Sequence, residues 1–395
     1  MSQNTEYLQS IFAVAQTNLQ GQPFANHGRT LRLVLQANIA AFALTVKFAN
    51  QTGQNPLPIG AVSLAHCNEA GQLTPGTLAP VTVGGVLNFT LAPGQTILSD
   101  TIRFALQAGN YFALSIYYPT DEPVVSGNWV ANDAQRSKPG NFSADESLPG
   151  PRLVSRLAHT VAMSDMTVPI TSVREIIAHC ETPGRVLGCF GDSITQQGNW
   201  TVPLEKLLRH TYPGQISLCN LGISGNRLLH NTPPAMGELF GKAGVARFAD
   251  DLLSLSGLTH AIIEIGSNDL GHPGTHGAPE TDLITPEEYA TTMQALAGQL
   301  HARGVKTYAA TIPPRALAKP YDAFRDELRK QMNHWLRSAD CFDAILDFDE
   351  VLRRPDGQPG IREGCVLPDG LHPSPYGGLL LAKSIHLALF GGEPV

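Results

Sequence analysis

The chain has 395 residues, 43% hydrophobic and 15% charged, a composition that folds into globular domains and excludes a disordered protein. That length is too great for one ordinary core, so two domains, or three, are expected. A formal net charge of −7 and no run of Lys or Arg leave no electrostatic footprint for nucleic acid or another polyanion.

The opening residues, MSQNTEYLQSIFAVAQTNLQ, carry no basic stretch, and their apolar run is too short for a secretory signal. Nowhere does the chain approach the ~20 apolar residues of a membrane helix, so no membrane span is expected. Cys67, Cys180, Cys189, Cys219, Cys341 and Cys365 are scattered and form no C-x-x-C pair. Cys189 and Cys219 sit inside apolar runs, where free cysteine behaves as a small core residue. The expectation is a reduced, cytoplasmic protein, unless an upstream leader has been removed.

Residues 1–181 read as strands. RTLRLVLQANI, AFALTVKFAN and the long run from Gly85 to Pro119 alternate apolar and polar positions, with Pro-Gly and Ala-Gly breaks at turn-like intervals. Short strands so spaced predict an all-β sandwich, jelly-roll-like. From Thr120 to Pro151 the sequence turns polar and rich in Pro, Gly, Ser and Asn, which predicts a long surface excursion. MTVPITSVREIIAHC supplies one more strand before a hand-over at Glu181-Thr182-Pro183-Gly184.

Over residues 182–395 the rhythm changes. Apolar runs RVLGCF, QISLCN, THAIIEIG, KTYAATI and DAILDF alternate with helix-like segments beginning at Trp200, Val245, Pro286 and Tyr321. Such alternation predicts an α/β domain, a short parallel sheet covered by helices on both faces. In such sheets chemistry gathers at the carboxyl ends of the strands.

Four segments fall just past those ends. The first is Gly191-Asp192-Ser193. The second, CNLGISGNRLL, carries Gly225 and Asn226. The third is Gly266-Ser267-Asn268-Asp269, and the fourth, LPDGLHPSPYG, holds Asp369 three residues before His372. Each has a dull reading: Gly-Asp-Ser is a turn, Asn-Asp a turn or helix cap, Asp-Gly a turn, His-Pro a loop. Together they supply what serine acyl transfer requires. A hydroxyl needs a base, for which His372 is the candidate. The base needs a carboxylate to fix its tautomer, and Asp369 is near in sequence. The oxyanion needs donors, for which the N–H groups of Ser193 and Gly225 and the Asn268 amide are suited.

In composition and order these segments resemble the four blocks of the SGNH, or GDSL-type, hydrolases, over roughly Gly184 to the C-terminus. The resemblance implies a three-layer α/β/α fold and a carboxylic-ester hydrolase working through an acyl-enzyme. It makes Ser193 the nucleophile, His372 the base, Asp369 the orienting acid, and Gly225 and Asn268 oxyanion donors. It calls for no metal or organic cofactor. Multidomain members with a β-rich domain ahead of the serine suggest a short-chain or carbohydrate O-acetyl ester as substrate, ahead of a lipid ester. An acyltransferase using the same residues and a non-catalytic carbohydrate-binding protein are the alternatives. The G-x-S-x-G elbow of another serine-hydrolase architecture is absent.

Asp192, Asn226 and Arg227 are weaker candidates for substrate contact; Asp192 also reads as a helix cap or a hydrogen-bond partner, and Arg227 as a structural tie. Arg247 reads as a helical salt-bridge partner. Leu270 to Asp282, rich in Gly, Pro and His, is either a mobile pocket wall or a plain loop, and its His272 and His276 lack the spacing of a metal site.

Overall fold

Alternating apolar residues pair into two large antiparallel sheets in the first half of the chain, beside a three-stranded and a two-stranded one. This computed structural model describes residues 5–19, 26–150, 152–154 and 168–390. One sheet runs Tyr7–Ala13, Val173–Cys180, Ala41–Ala49, Ile102–Leu106, with Thr96–Leu98 also paired to Ala41–Ala49. The other runs Arg152–Val154, Asp133–Pro139, Arg29–Gln36, Tyr111–Tyr117, Ala61–His66, Ala79–Pro80. Leu44, Val46, Phe48 and Ile176 from the first sheet share one core with Leu31, Leu33, Leu64, Leu114 and Ile116 from the second. Burial of alternate residues over Ile102–Leu106 shows why the apolar positions recur at period two. The expected last strand forms over Val173–Cys180; Met166 and Thr167, which open its sequence, lie outside the described residues.

The polar stretch from Thr120 is only in part the surface excursion its composition predicts: residues 138–150 are mostly exposed, but residues 124–137 are mostly buried. Ser126–Asn128 and Asp133–Pro139 are strands, and the second pairs with Arg29–Gln36. Arg32, fully buried, ties down the residues beyond Pro139: its guanidinium donates to the carbonyls of Phe142 at 3.3 Å, Asp145 at 2.7 Å and Glu146 at 3.2 Å. Strand pairing and one buried cation satisfy this backbone, so its burial needs no apolar periodicity. Pro151, which ends the stretch, is outside the described residues.

By internal contacts the chain divides into two units. The first is Met1–Val186 with Tyr212–Cys219 and Leu255–Gly257; the second is Leu187–Thr211, Asn220–Ser254 and Leu258–Val395. A five-stranded sheet carries the strand-and-helix half, in the order Ile216–Gly222, Arg185–Gly191, Leu258–Glu264, Lys306–Ala310, Ala344–Leu346. The last three strands pair in parallel. The helices are α1 (Ser193–Gln196), α2 (Thr201–Thr211), α3 (Gly244–Phe248), α4 (Ser267–Gly271), α5 (Pro286–His301), α6 (Ala323–Ser338), α7 (Phe348–Leu352) and α8 (Pro375–Phe390). They pack in two groups, α2 with α7 and α8, and α3 and α4 with α5 and α6, the covering layers of a three-layer α/β/α fold.

The segment from Val245 is a five-residue α-helix continued by a π-helix over Ala249–Leu253. No periodic signal announced α8, because Gly377, Gly378 and the apolar LLLA after them give it no polar face. Strand order reverses between Arg185–Gly191 and Leu258–Glu264, and beside such a switch point an open α/β sheet offers a crevice for ligands. Ser193 comes after the first of these strands and Asn268 after the second.

Candidate active site

Ser193 opens α1 immediately after its strand. Gly191 is required there by space: a Cβ would lie 2.4 Å from the Glu264 carbonyl and 2.3 Å from Thr195 Oγ1. Asp192 caps α1, its Oδ1 accepting the Ile194 N–H at 3.0 Å. The turn presents the Ser193 hydroxyl to His372, with Oγ and Nε2 2.8 Å apart.

The other imidazole nitrogen, Nδ1, lies 2.6 Å from Asp369 Oδ2. Asp369 Oδ1 accepts the N–H groups of Leu371 at 2.9 Å and His372 at 3.0 Å, so the carboxylate fixes its own loop as well as the ring. Partial burial opposes ionisation of Asp369, but the hydrogen bonds from the His372 ring and from the two N–H groups outweigh it and hold the carboxyl well below the usual range. The Asn199 amide donates to the Pro373 carbonyl at 2.8 Å, tying the His372 loop to the segment after α1. A serine, an imidazole and a carboxylate thus form one hydrogen-bonded line, the arrangement for removing a hydroxyl proton.

Residues 189–378 match the GDSL-like Lipase/Acylhydrolase family model. This part of the chain is a GDSL-like acylhydrolase domain. The protein is accordingly a hydrolase of carboxylic esters. Among solved structures, the acetyl xylan esterase AlAXEase is similar at 20% identity, over 52% of this chain and 100% of its own, with a TM-score of 0.39. Est24, a carbohydrate acetylesterase from Sinorhizobium meliloti, is similar at 19% identity over 53% and 99%, with a TM-score of 0.40. The native aryl esterase of M. smegmatis is similar at 17% identity over 53% and 99%, also with a TM-score of 0.40. No curated protein matches the chain.

In the GDSL-like domain a second set of contacts fixes the candidate oxyanion donors. Gly225 has φ +73°, and a Cβ there would lie 2.3 Å from the Phe240 ring, so both backbone and space demand glycine. Among the described residues no acceptor meets the N–H of Ser193 or of Gly225. The Asn268 amide nitrogen lies 3.2 Å from Asp192 Oδ2 and 3.1 Å from the Asn226 carbonyl, and this places it beside the nucleophile's neighbour. Asn268 is not a helix cap: that position of α4 belongs to Gly266, with no side-chain bond.

The three weaker candidates for substrate contact are held by bonds within the domain. Asp192, Asn226 and Arg227 are buried and bond within the domain, with the Nε of Arg227 left without a partner among the described residues. Asp192 accepts from Ile194 and Asn268. Asn226 donates to the carbonyls of Phe240 and Lys242 and accepts from Arg247 Nε. Arg227 pairs with Asp282 at 2.8 Å and donates to the Asn231 carbonyl. These bonds shape the loops.

Two residues proved more important than their sequence context indicated. Arg247 pairs with Asp251 at 3.0 Å, as its helical position suggested. It also donates to the carbonyls of Gly191 at 2.8 Å and Leu221 at 2.9 Å while stacking 3.9 Å over Phe190. One guanidinium thus ties the serine strand to the Gly225 strand. Asp269 accepts the N–H groups of Leu228 (2.9 and 2.8 Å) and Leu229 (3.2 Å), so the helix carrying Asn268 grips the loop after Gly225. Neither partner lies within 20 residues in sequence, and no local pattern signals such ties.

Burial governs the remaining carboxyls. It pushes Asp192 up to about 7 and Asp269 up to about 6, against hydrogen bonds that favour their ions. Glu264, which accepts from Thr195 Oγ1 at 2.8 Å, is raised by burial and then by Asp192. The segment Leu270–Asp282 is pinned by Arg227 to Asp282 and by Arg325 to Glu280, and His272 stacks on Phe240 with centroids 5.3 Å apart. Among the described residues no three His, Cys, Asp or Glu side chains are grouped to hold a metal, and no helix is long and apolar enough to cross a membrane.

Proposed function

We propose that this esterase works through an acyl-enzyme on Ser193, with short-chain or carbohydrate O-acetyl esters as substrates. The reading is carried by the continuous line from Asp369 Oδ2 through the His372 ring to Ser193 Oγ, at 2.6 and 2.8 Å. His372 Nε2 takes the hydroxyl proton as Oγ bonds to the ester carbon. The negative charge forming on the carbonyl oxygen is met by the N–H groups of Ser193 and Gly225 and by the Asn268 amide. Collapse of the tetrahedral species breaks the bond to the alcohol, which leaves with the proton from Nε2. Water then repeats the sequence and frees the acid. Asp369, ionised and bonded to Nδ1, stabilises the imidazolium in both halves.

The substrate preference rests on the resemblance to multidomain GDSL hydrolases with a β-rich domain ahead of the serine. On the same footing, residues 1–181 form the accessory domain and 182–395 the catalytic one. The test is a screen of p-nitrophenyl esters of rising chain length beside O-acetylated sugars, with product analysis in the presence of an acceptor alcohol. Highest kcat/KM on acetyl esters, with free acid as product, is expected. A preference for long acyl chains, or transfer to the acceptor in place of hydrolysis, would overturn the substrate class.

A further inference from the structure

Arg315 lies between the Lys306–Ala310 strand and α6, half-buried and, like Arg362, without a counter-ion among the described residues. Arg227, Arg247, Arg325 and Arg329 each pair with a carboxylate. Among the described residues Arg315 has neither a hydrogen bond nor an ion pair, and its Nε is buried without a partner. The remaining nitrogens keep solvent access, since Nε alone of the three is buried and unmet. A guanidinium in that state is destabilising unless something else meets it.

Its surroundings place it at the active site. The guanidinium stacks 4.6 Å over the Tyr321 ring, which holds its plane. A Cβ on Gly271 would lie 2.5 Å from Nη1, so the cation rests against the end of α4, the helix that carries Asn268. Ala316 donates its N–H to the Gly370 carbonyl at 2.9 Å, which fastens the backbone beside Arg315 to the residue after Asp369. The charges of Asp192 and Asp369 reach the guanidinium without bonding it. Beside it, His272 has its Nδ1 buried and unpartnered, and burial followed by the charges of His276, Arg227 and Arg315 lowers it to about 4, so it brings no competing charge at neutral pH.

We propose that Arg315 is a substrate-recognition residue that binds a carboxylate on the substrate, so that the enzyme acts on esters of acidic molecules such as O-acetylated acidic sugars. The planar fork of donors matches a carboxylate in two parallel bonds, and Tyr321 fixes the plane beforehand. This deepens the esterase reading of Ser193 and rests on it.

Two matched pairs of substrates test the proposal: 4-acetoxybenzoate against its methyl ester, and O-acetylated glucuronate against O-acetylated glucose. The readout is the ratio of kcat/KM, anionic over neutral, for the wild type, Arg315→Gln and Arg315→Lys. A charge-assisted pair predicts a wild-type ratio of about 10 to 100. The chain's net charge of −7 works against anions, so a ratio above one does not come from the overall field. Arg315→Gln should bring the ratio near one, chiefly through KM for the anionic member, and Arg315→Lys should restore part of it. A wild-type ratio at or below one overturns the proposal even if both variants misfold. So does an unchanged ratio in a folded Arg315→Gln protein. Hydrolysis of the neutral esters reports separately on Ser193: its absence overturns the esterase reading and this inference with it.

Discussion

Replacing Asn268 probes the oxyanion site at its most constrained donor. The amide nitrogen is 3.2 Å from Asp192 Oδ2 and 3.1 Å from the Asn226 carbonyl, in a buried position. Asn268→Ala removes a donor to the developing charge, which costs about 10²–10³ in kcat. KM should change little, because the ground-state carbonyl uses the donor less. It also leaves two buried acceptors without this donor. At these long distances each loss is near the low end of its range, about 1 kcal/mol, and the sum of about 2 kcal/mol lowers Tm by roughly 4–8 °C.

Asn268→Asp keeps the volume but sets a carboxyl where the amide nitrogen stood, against Asp192. Two carboxyls so close share a proton, which raises their folded-state pKa. A raised carboxyl stabilises the fold below its unfolded value near 4, and that stability is lost as pH rises through the folded value. Asn268→Asp should therefore fall further below wild type in Tm from pH 5 to pH 8, and its kcat should be no higher than that of Asn268→Ala. Steady-state kinetics on p-nitrophenyl acetate and thermal melts across that range measure both. An Asn268→Asp enzyme with near wild-type kcat and Tm would refute the donor role.

Ser193→Ala should abolish turnover at unchanged Tm, and a fluorophosphonate should label the wild type at Ser193 and leave the variant unmodified; turnover by the folded variant would remove the nucleophile. His372→Ala should cost several orders of magnitude in kcat/KM and Asp369→Ala less, since the ring keeps some of the correct tautomer; the reverse order would reverse the roles. Arg247→Met leaves Asp251 buried without its cation and frees the carbonyls of Gly191 and Leu221, a loss of about 3–5 kcal/mol that differential scanning calorimetry would detect; an unchanged melt would mean the tie is idle. Asp192, raised by burial to about 7, holds a proton the unfolded chain releases between about 4 and 7. Asp192→Asn should thus gain stability relative to wild type as pH rises through that window, and a constant difference in Tm would contradict the shift.

Asp369 and His372 lie in the loop between α7 and α8, not at the strand end expected of them, and were legible through their D-x-x-H spacing; Ser193 was legible because it falls, as Asn268 does, at a strand's carboxyl end, a place that the change from apolar run to Gly, Asp or Asn marks in one dimension. What joins those ends was not legible. Arg247 looked like a helical ion-pair partner, and only the fold reveals that the carbonyls of Gly191 and Leu221 converge on it. Asp192, Asn226 and Arg227 share the polar character of ligand-binding residues, and no local pattern shows the ties they make within the domain. The strands within Thr120–Pro151 escaped notice for the converse reason: their burial is satisfied by pairing and by Arg32, with no apolar periodicity to read.

The carboxyls around Ser193 also show how burial assigns charge. Asp369 keeps a side chain 47% exposed and accepts three hydrogen bonds, so it stays ionised where the imidazolium forms. Asp192, Asp269 and Glu264 are buried and raised, so part of their negative charge is withdrawn near neutral pH. A fully ionised set behind the nucleophile would oppose the oxyanion that Ser193 must generate. A proton held on Asp192 or Glu264 lowers that repulsion, while Asp369, fully charged, stands across the ring, where it favours proton transfer to His372. Asp192 therefore acts on the chemistry through its charge, one residue behind the attacking oxygen.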